Sequence, residues 1–177
     1  MMFMLPELDR VLLRQAKLVK NLLVSKKITI SLAESCTGGQ LSSVLTNIPG
    51  ISKVMVGSVV VYSAFYKSEL VGVSPITISD YGTVSFQTAY ELAYNIKNIS
   101  NTSIGISVVC VLGPFPDEKR NNVGTMYIGI SDECSTSVKF FKVDACCRIK
   151  MKKLVVLKIL KILEGVVNNE TVCGSGS

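Results

Sequence analysis

The sequence contains no histidine. Histidine is the commonest general base in enzymes, so its absence excludes both a Ser-His-Asp triad and a Cys-His pair. A nucleophilic serine or cysteine in this chain would need a lysine, a tyrosine or a carboxylate as its base. A lysine can serve as that base only if burial or neighbouring cations lower its pKa toward neutrality.

Metal-binding spacings and long apolar runs are also missing. The six cysteines show no C-x-x-C spacing, so we expect no metal site. The longest apolar stretch, residues 154–167, is interrupted by Lys158, Lys161 and Glu164 and is shorter than the roughly 18 residues of a membrane span. No signal-peptide core is evident, and the cysteine usage is typical of a reduced, cytoplasmic protein.

The chain has 177 residues, of which 48% are hydrophobic and 18% are charged, so it can bury a sizeable core. We predict one domain over residues 1–170 and a disordered tail at 171–177. The net charge of +6 is concentrated late in the chain. No aromatic residue lies among the basic residues of 148–161, so we read this stretch as a solvated helix face and do not expect nucleic acid to bind.

Apolar periodicity predicts alternating helices and strands. Helical spacing predicts helices at residues 7–25, 40–46, 64–71, 86–99 and 147–167. Short β-branched or apolar runs predict strands at residues 28–32, 54–62, 104–112, 123–130 and 136–143. The last two strands would form a hairpin, and Pro75 would begin an irregular link. This order predicts an α/β fold, a three-layer α/β/α sandwich with a mixed sheet.

The segment at residues 33–39, Ala-Glu-Ser-Cys-Thr-Gly-Gly, connects a predicted strand to a predicted helix. Backbone N–H groups at such a turn suit an anion or a developing oxyanion, and Gly38 and Gly39 allow a ligand to approach closely. On local spacing alone, two other readings stay open, and the first of them is the more frequent outcome. Ser35 and Thr37 could be ordinary helix caps, and Cys36 could be a rival nucleophile or an inert, half-buried cysteine.

Together with Val-Val-Val-Tyr-Ser at 59–63 and Lys67, this segment resembles the CinA C-terminal domain family. Further similar blocks occur at residues 70–73, 81–89, 113–114 and 123–125. The resemblance covers about residues 8–165. It implies a stand-alone nicotinamide-nucleotide amidase of the PncC type, which hydrolyses nicotinamide mononucleotide (NMN) to nicotinic acid mononucleotide and ammonia. It also implies a homodimer that needs no cofactor.

The resemblance further implies roles for individual residues. Ser35 would be the nucleophile and Lys67 its base, while Tyr62 would relay the proton or hold Lys67 in place. The remaining candidates for the oxyanion and substrate site are Thr37, Gly38, Gly39, Glu34, Gly113 and Arg148. Glu34 would orient the loop or cap a helix. Charge alone makes Lys119, Arg120 and Arg148 candidates for the phosphate. Without the resemblance, Lys67 would be read as a surface lysine.

Some blocks depart from the family pattern, and they support a second hypothesis. Val109 and Cys110 stand where the family has a hydroxyl residue and a glycine, and the loop 115–122 lacks the family's paired glycines. The alternative is a catalytically altered or inactive module that binds or assembles. A third interpretation, a competence factor associated with DNA, has no groove-reading motif to support it.

Overall fold

The computed structural model describes residues 4–144 and 146–169, with side chains from residue 7 onward. The tail predicted at 171–177 lies outside the described residues. The helices are α1 (Met4–Lys26), α2 (Gln40–Thr46), α3 (Ala64–Val71), α4 (Pro75–Tyr81), α5 (Phe86–Ser100) and α6 (Arg148–Asn169). The strands are β1 (Ile30–Glu34), β2 (Met55–Val60), β3 (Ile104–Cys110), β4 (Thr125–Ser131) and β5 (Thr136–Lys142).

The strands form one five-stranded sheet in the order β2-β1-β3-β4-β5. The first three of these are parallel to one another, and β4 and β5 continue the sheet as an antiparallel hairpin. Every residue of β1 and of β3 is buried. Burial on both faces is typical of central parallel strands that have helices above and below them.

Helices cover both faces of the sheet. On one face α1, α2 and α6 bury a large apolar cluster against the strands, and Lys153 of α6 pairs with Asp9 of α1 at 2.6 Å. On the other face α5 packs across β3 and β4, with α3 and α4 beside it. The predicted three-layer α/β/α sandwich with a mixed sheet is therefore confirmed.

Two local predictions were wrong. Residues 75–81 form α4 rather than an irregular link, because Pro75 occupies the first turn of a helix, where its missing N–H costs nothing. The first strand was predicted at 28–32 but spans Ile30–Glu34. Ile28 instead belongs to the cap that follows α1. Lys27 has a φ of +57°, and this left-handed turn lets the Ile28 N–H donate a hydrogen bond to the Leu23 carbonyl.

Helix α5 approaches the sheet unusually closely at two glycines. A Cβ on Gly105 would lie 2.2 Å from the Ala93 carbonyl oxygen, and one on Gly129 would lie 2.3 Å from that of Ala89. Only glycine allows the helix backbone to come this near to β3 and β4. These contacts determine how far α5 stands from the sheet.

Candidate active site

The candidate site lies at the carboxyl ends of β1, β2 and β3, the edge of an open α/β sheet at which ligands generally bind. β1 ends at Glu34, and the turn 35–39 leads into α2. Gly38 and Gly39 have φ values of +60° and +87°, a left-handed conformation that side chains with a Cβ rarely adopt. The two glycines thus let the chain reverse between strand and helix.

Glu34 is fully buried and caps α2. Its carboxylate accepts hydrogen bonds from the N–H groups of Leu41 at 3.1 Å and Ser42 at 2.8 Å, and from the Ser42 hydroxyl. These bonds satisfy donors that helix geometry leaves unpaired, and a negative charge at a helix N-terminus is favourable. Glu34 is therefore a helix cap, one of the two roles predicted for it, and the same hydrogen bonds span the turn 35–39. Ser35, the next residue, is directed toward α3 instead.

Ser35 meets Lys67 in a buried contact. The Lys67 Nζ lies 3.1 Å from the Ser35 Oγ, and it also donates to the carbonyl oxygens of Val61 at 2.9 Å and Tyr62 at 3.4 Å. Lys67 is 1% exposed and Ser35 is 8% exposed. The surface reading of Lys67 is thus excluded, because α3 turns this side chain inward to the end of β1.

Burial changes the acid–base chemistry of Lys67. Desolvation penalises the charged ammonium and lowers the pKa of Lys67 from 10.5 to about 8. A substantial fraction of the amine is therefore neutral at mildly alkaline pH. A neutral amine within hydrogen-bond reach of a serine hydroxyl can accept its proton.

The Tyr62 side chain points away from this pair. Its carbonyl accepts from Lys67, but its phenol is largely exposed and accepts a hydrogen bond of 3.0 Å from Arg148 Nη2. Arg148 Nη1 donates to the Gly113 carbonyl at 2.9 Å. The predicted residues Tyr62, Gly113 and Arg148 therefore form one hydrogen-bonded group. Among the described residues, the phenol makes no hydrogen bond to Ser35 or Lys67.

The three backbone N–H groups predicted to bind an oxyanion differ in whether they already donate a hydrogen bond. The Gly38 N–H donates to the Ser35 carbonyl at 3.1 Å and is therefore occupied. The N–H groups of Thr37 and Gly39 donate to no acceptor within the part of the chain that the structure describes. The buried Thr37 Oγ1 also has no partner there. Of the three predicted donors, the N–H groups of Thr37 and Gly39 are thus unoccupied among the described residues, and Thr37 is fully buried.

Cys36 is bonded to Cys110 in a disulfide, with 5.6 Å between the Cα atoms. The expectation of reduced cysteines is therefore wrong for this pair, and the bonded Cys36 is not a free nucleophile. The parallel register of β1 and β3 explains the pairing: Glu34 lies opposite Val108, and the cysteines lie two positions further along each segment, Cys36 in the turn after β1 and Cys110 at the end of β3. Nothing in the spacing of the cysteines along the sequence indicates this register.

The segment 109–122, where the sequence departs from the family pattern, makes its contacts within the protein. Val109 is fully buried in the apolar cluster between α5 and the sheet. In the following loop, Asp117 accepts hydrogen bonds from the backbone of Lys119 and Asn121, and the Lys119 Nζ donates to the Ser79 carbonyl of α4 at 2.7 Å. Lys119, a predicted phosphate candidate, is therefore engaged with α4.

One basic side chain near the turn was not among the predicted site residues. A Cβ built on Gly38 would lie 3.3 Å from the Lys152 Nζ, so this amine rests against the turn. Lys152 lies four residues after Arg148 on α6, and residues four apart share one face of a helix. This spacing was visible in the sequence, but nothing in it showed that this face meets the turn.

No cluster of three or more histidine, cysteine, aspartate or glutamate residues that could hold a metal occurs among the described residues. Within the same part of the chain, no helix has the length and apolarity needed to cross a membrane.

The protein is an α/β/α sandwich in which the serine that follows the first strand contacts a buried lysine. The CinA C-terminal domain model matches residues 13–167, and the chain belongs to that family. A competence-damage inducible protein of Alkaliphilus oremlandii is 39% identical over 155 residues, which are 88% of this chain and 37% of that protein. A CinA-like protein of Koribacter versatilis is 44% identical over 110 residues, 62% of this chain and 27% of that protein. The chain thus spans well under half the length of these relatives.

Solved structures share the fold. The competence/damage inducible protein CihA of Agrobacterium tumefaciens has a TM-score of 0.84 at 24% identity, covering 90% of this chain and 96% of that one. A CinA superfamily protein of Klebsiella pneumoniae has a TM-score of 0.85 at 19% identity, covering 89% and 98%. At these identities the similarity establishes the fold.

Proposed function

We propose that this protein is an amidohydrolase that converts NMN and water to nicotinic acid mononucleotide and ammonia. The observation that carries the proposal is the buried contact between the Ser35 Oγ and the Lys67 Nζ. Lysine side chains are rarely fully buried, and the pKa of Lys67 is lowered by its burial. A lowered lysine pKa beside a serine hydroxyl is a pattern found at catalytic sites. The absence of histidine leaves lysine as the natural base.

In the first half of the proposed reaction, the neutral Lys67 amine takes the Ser35 proton while Oγ attacks the carboxamide carbon. The resulting oxyanion would be bound by the N–H groups of Thr37 and Gly39, and one such donor contributes about 3 kcal/mol to lowering a barrier. The Lys67 ammonium then returns its proton to the leaving amide nitrogen. Ammonia departs, and the acyl group remains as an ester on Ser35.

In the second half, water attacks the ester carbonyl. Lys67 takes a proton from this water, and the Ser35 oxygen leaves as the alcohol when the proton is returned to it. Nicotinic acid mononucleotide is released, and the free enzyme is regenerated. Every proton in this cycle is carried by the Ser35–Lys67 pair, so the scheme involves no further cofactor.

Two cations of α6 favour an anionic substrate. Arg148 donates hydrogen bonds to the Gly113 carbonyl and the Tyr62 phenol, and the Lys152 amine lies against Gly38 in the turn 35–39. Both side chains therefore lie beside the nucleophile's end of the sheet. We propose that they attract and hold the nucleotide phosphate, since guanidinium and ammonium groups are the usual protein ligands of phosphate.

A cytoplasmic location and a homodimer belong to the same proposal. A phosphorylated nucleotide does not cross an apolar bilayer unaided, so an enzyme acting on it would work where it is made. Exposed apolar side chains on β2 and α3, such as Val56, Phe65 and Leu70, offer a surface that a second copy could cover.

A catalytically altered binding module remains the second candidate, and one observation favours it. The guanidinium of Arg148 already donates to Gly113 and Tyr62, and Lys119 is engaged with α4. A nucleotide phosphate would have to compete with these contacts. Binding without turnover would distinguish this candidate from the amidase.

The test is ammonia release from NMN by the purified protein, compared with Ser35→Ala and with Ser52→Ala. Ser52 is exposed and lies outside the site, so its variant controls for a general serine effect. We expect turnover that Ser35→Ala abolishes and Ser52→Ala retains. If the wild type releases ammonia no faster than Ser35→Ala, NMN amidase activity is excluded. Calorimetric binding of NMN without turnover would then support the binding module.

A further inference from the structure

The disulfide joins the two sides of the candidate site. Cys36 directly follows Ser35, and Cys110 is the last residue of β3, three positions before Gly113. Gly113 in turn accepts a hydrogen bond from Arg148. The bond therefore connects the turn that carries the proposed nucleophile to the segment that contacts the cation of α6.

The disulfide lies just beyond the point at which hydrogen bonding between β1 and β3 stops. The last paired positions of β1 and β3 are Glu34 and Val108. Beyond them, no hydrogen bond joins residues 36–39 to residues 110–113 within the described ranges. The turn is held on its other sides by the cap at Glu34 and by the Lys67 contact. On the β3 side, the link is the covalent one.

We propose that the Cys36–Cys110 pair is a redox-modification site that controls the position and reactivity of Ser35. In the oxidised state described here, Ser35 lies within hydrogen-bond reach of Lys67. Reduction removes the covalent link between the turn and the end of β3. No hydrogen bond between described residues then holds the turn on that side, so the turn is freer to move beside the proposed nucleophile. A displacement of about 1 Å there can cost about 100-fold in rate.

The chemistry is thiol–disulfide exchange with a dithiol reductant. One thiolate of the reductant attacks a sulfur of the disulfide and forms a mixed disulfide, while the other protein sulfur leaves and takes up a proton. The second thiol of the reductant then attacks the mixed disulfide and releases the second protein thiol. Two electrons and two protons pass to the protein, and the reductant becomes a disulfide.

The burial of the pair determines how it responds. Cys36 is 6% exposed and Cys110 is 8% exposed, whereas the thiols of Cys146 and Cys147 are exposed. Exchange at the buried pair requires the turn to open, so it is slower than modification of the exposed thiols. In a reducing cytoplasm, a disulfide of this kind is usually transient and redox-sensing.

The experiment compares the oxidised chain with the same chain reduced by dithiothreitol and with Cys110→Ser. Cys134→Ser, an exposed cysteine of the β4–β5 turn, is the matched control. Mass spectrometry of a non-reducing digest tests for the linked peptides. Hydrogen exchange of the backbone at residues 35–40 reports the turn, and labelling of Ser35 by a fluorophosphonate reports its reactivity.

We expect a Cys36–Cys110 linked peptide and, on reduction, faster exchange at residues 35–40. Labelling of Ser35 should slow by about tenfold to 100-fold. Oxidised glutathione should restore both, Cys110→Ser should resemble the reduced state, and Cys134→Ser should resemble the wild type. Absence of the linked peptide, or exchange that is unchanged on reduction, would overturn the proposal. If Cys110→Ser does not fold or Ser35 is unreactive in both states, exchange in the wild type decides.

The effect on ammonia release rests on the proposed amidase function, whereas the exchange and labelling effects do not. If exchange responds to reduction but NMN is hydrolysed in neither state, the amidase proposal fails and the redox site stands. If NMN is hydrolysed equally in both states and exchange is unchanged, the redox site fails and the amidase stands.

Discussion

Ser35 and Lys67 are 32 residues apart in the chain, yet their Oγ and Nζ atoms lie 3.1 Å apart in a buried contact. Ser35 follows the last residue of β1, and Lys67 lies on α3 after the neighbouring strand β2. The parallel pairing of these strands brings their carboxyl ends together. Sheet topology thus brings the proposed nucleophile and its proposed base together.

Replacing Lys67 with methionine should abolish most of the proposed activity. Methionine keeps an apolar stem of similar length but cannot accept the Ser35 proton, so ammonia release from NMN should fall about 100-fold to 10,000-fold. Lys53→Met removes an exposed lysine and serves as the control. Circular dichroism would verify that both variants fold. Activity of Lys67→Met close to that of the control would refute the role of Lys67 as base.

The rate should depend on pH through the same amine. The pKa of Lys67 is about 8, so kcat/KM for NMN should rise with pH and level off above about pH 8 as the amine becomes neutral. A profile measured across this range checks the expectation. A rate that is flat between about pH 7 and about pH 9 would contradict it.

Stability should depend on pH in the same direction. Because the pKa of Lys67 is about 8 in the folded protein and 10.5 without burial, the unfolded chain binds more protons between these values. The free energy of unfolding should therefore rise by about 3 kcal/mol as pH rises from about 8 to about 10.5. Below about pH 8 the full cost of burying the Lys67 ammonium charge is present. Urea unfolding of the wild type and Lys67→Met isolates this contribution, since the variant lacks it.

Replacing Glu34 with glutamine should destabilise the fold. The neutral amide loses a charge that accepts bonds from the N–H groups of Leu41 and Ser42, a loss of about 1–3 kcal/mol. Glu69→Gln, at an exposed position of α3, is the control and should change stability little. Urea unfolding midpoints measure both. Equal midpoints for the two variants would show that the cap contributes nothing.

Adding a methyl group at Gly129 should also destabilise the protein. The new Cβ would lie 2.3 Å from the Ala89 carbonyl oxygen, so α5 would have to move off the sheet at a cost of about 1–3 kcal/mol or more. Gly57→Ala in β2 is the matched control, because a Cβ there meets nothing within 4 Å. Thermal unfolding of both variants tests the difference. A melting temperature that drops no further for Gly129→Ala than for Gly57→Ala would contradict the close approach.

Removing the Lys152 amine should weaken substrate binding more than it slows turnover. Lys152→Ala deletes a cation beside the turn, so KM for NMN should rise about threefold to tenfold while kcat changes less. Lys161→Ala removes an exposed lysine from the same helix and controls for net charge. If kcat falls and KM does not change, Lys152 acts on the turn rather than on the phosphate.

Local patterns predicted most of the fold. Among the described residues, periodicity located five of the six α-helices and all five strands, because amphipathic helices and buried strands repeat with different periods. The start of β1 was misplaced, since the bond that ends α1 at Ile28 depends on backbone geometry and not on hydrophobicity. Helix α4 was missed because Pro75 reads equally as a loop signal and as a helix start.

The candidate site was predictable only in part. Ser35 and Lys67 were identified by resemblance, but the burial of Lys67 was not, because its own helix shows no strong apolar face. Lys152 was missed because its contact with Gly38 depends on how α6 packs across the turn. The role of Tyr62 divides between its carbonyl at Lys67 and its phenol at Arg148, a distinction that residue type cannot make.

By itself, the sequence determined that no histidine can act, that helices and strands alternate, and that a serine follows the first strand before two glycines. These are properties of composition and local order. The tertiary structure decided which distant groups come into contact: Lys67 hydrogen-bonds to Ser35, Arg148 hydrogen-bonds to Tyr62, and Cys36 forms a disulfide with Cys110. Such pairings depend on strand order and register, which arise only when hydrogen bonding and burial select one arrangement of the whole chain.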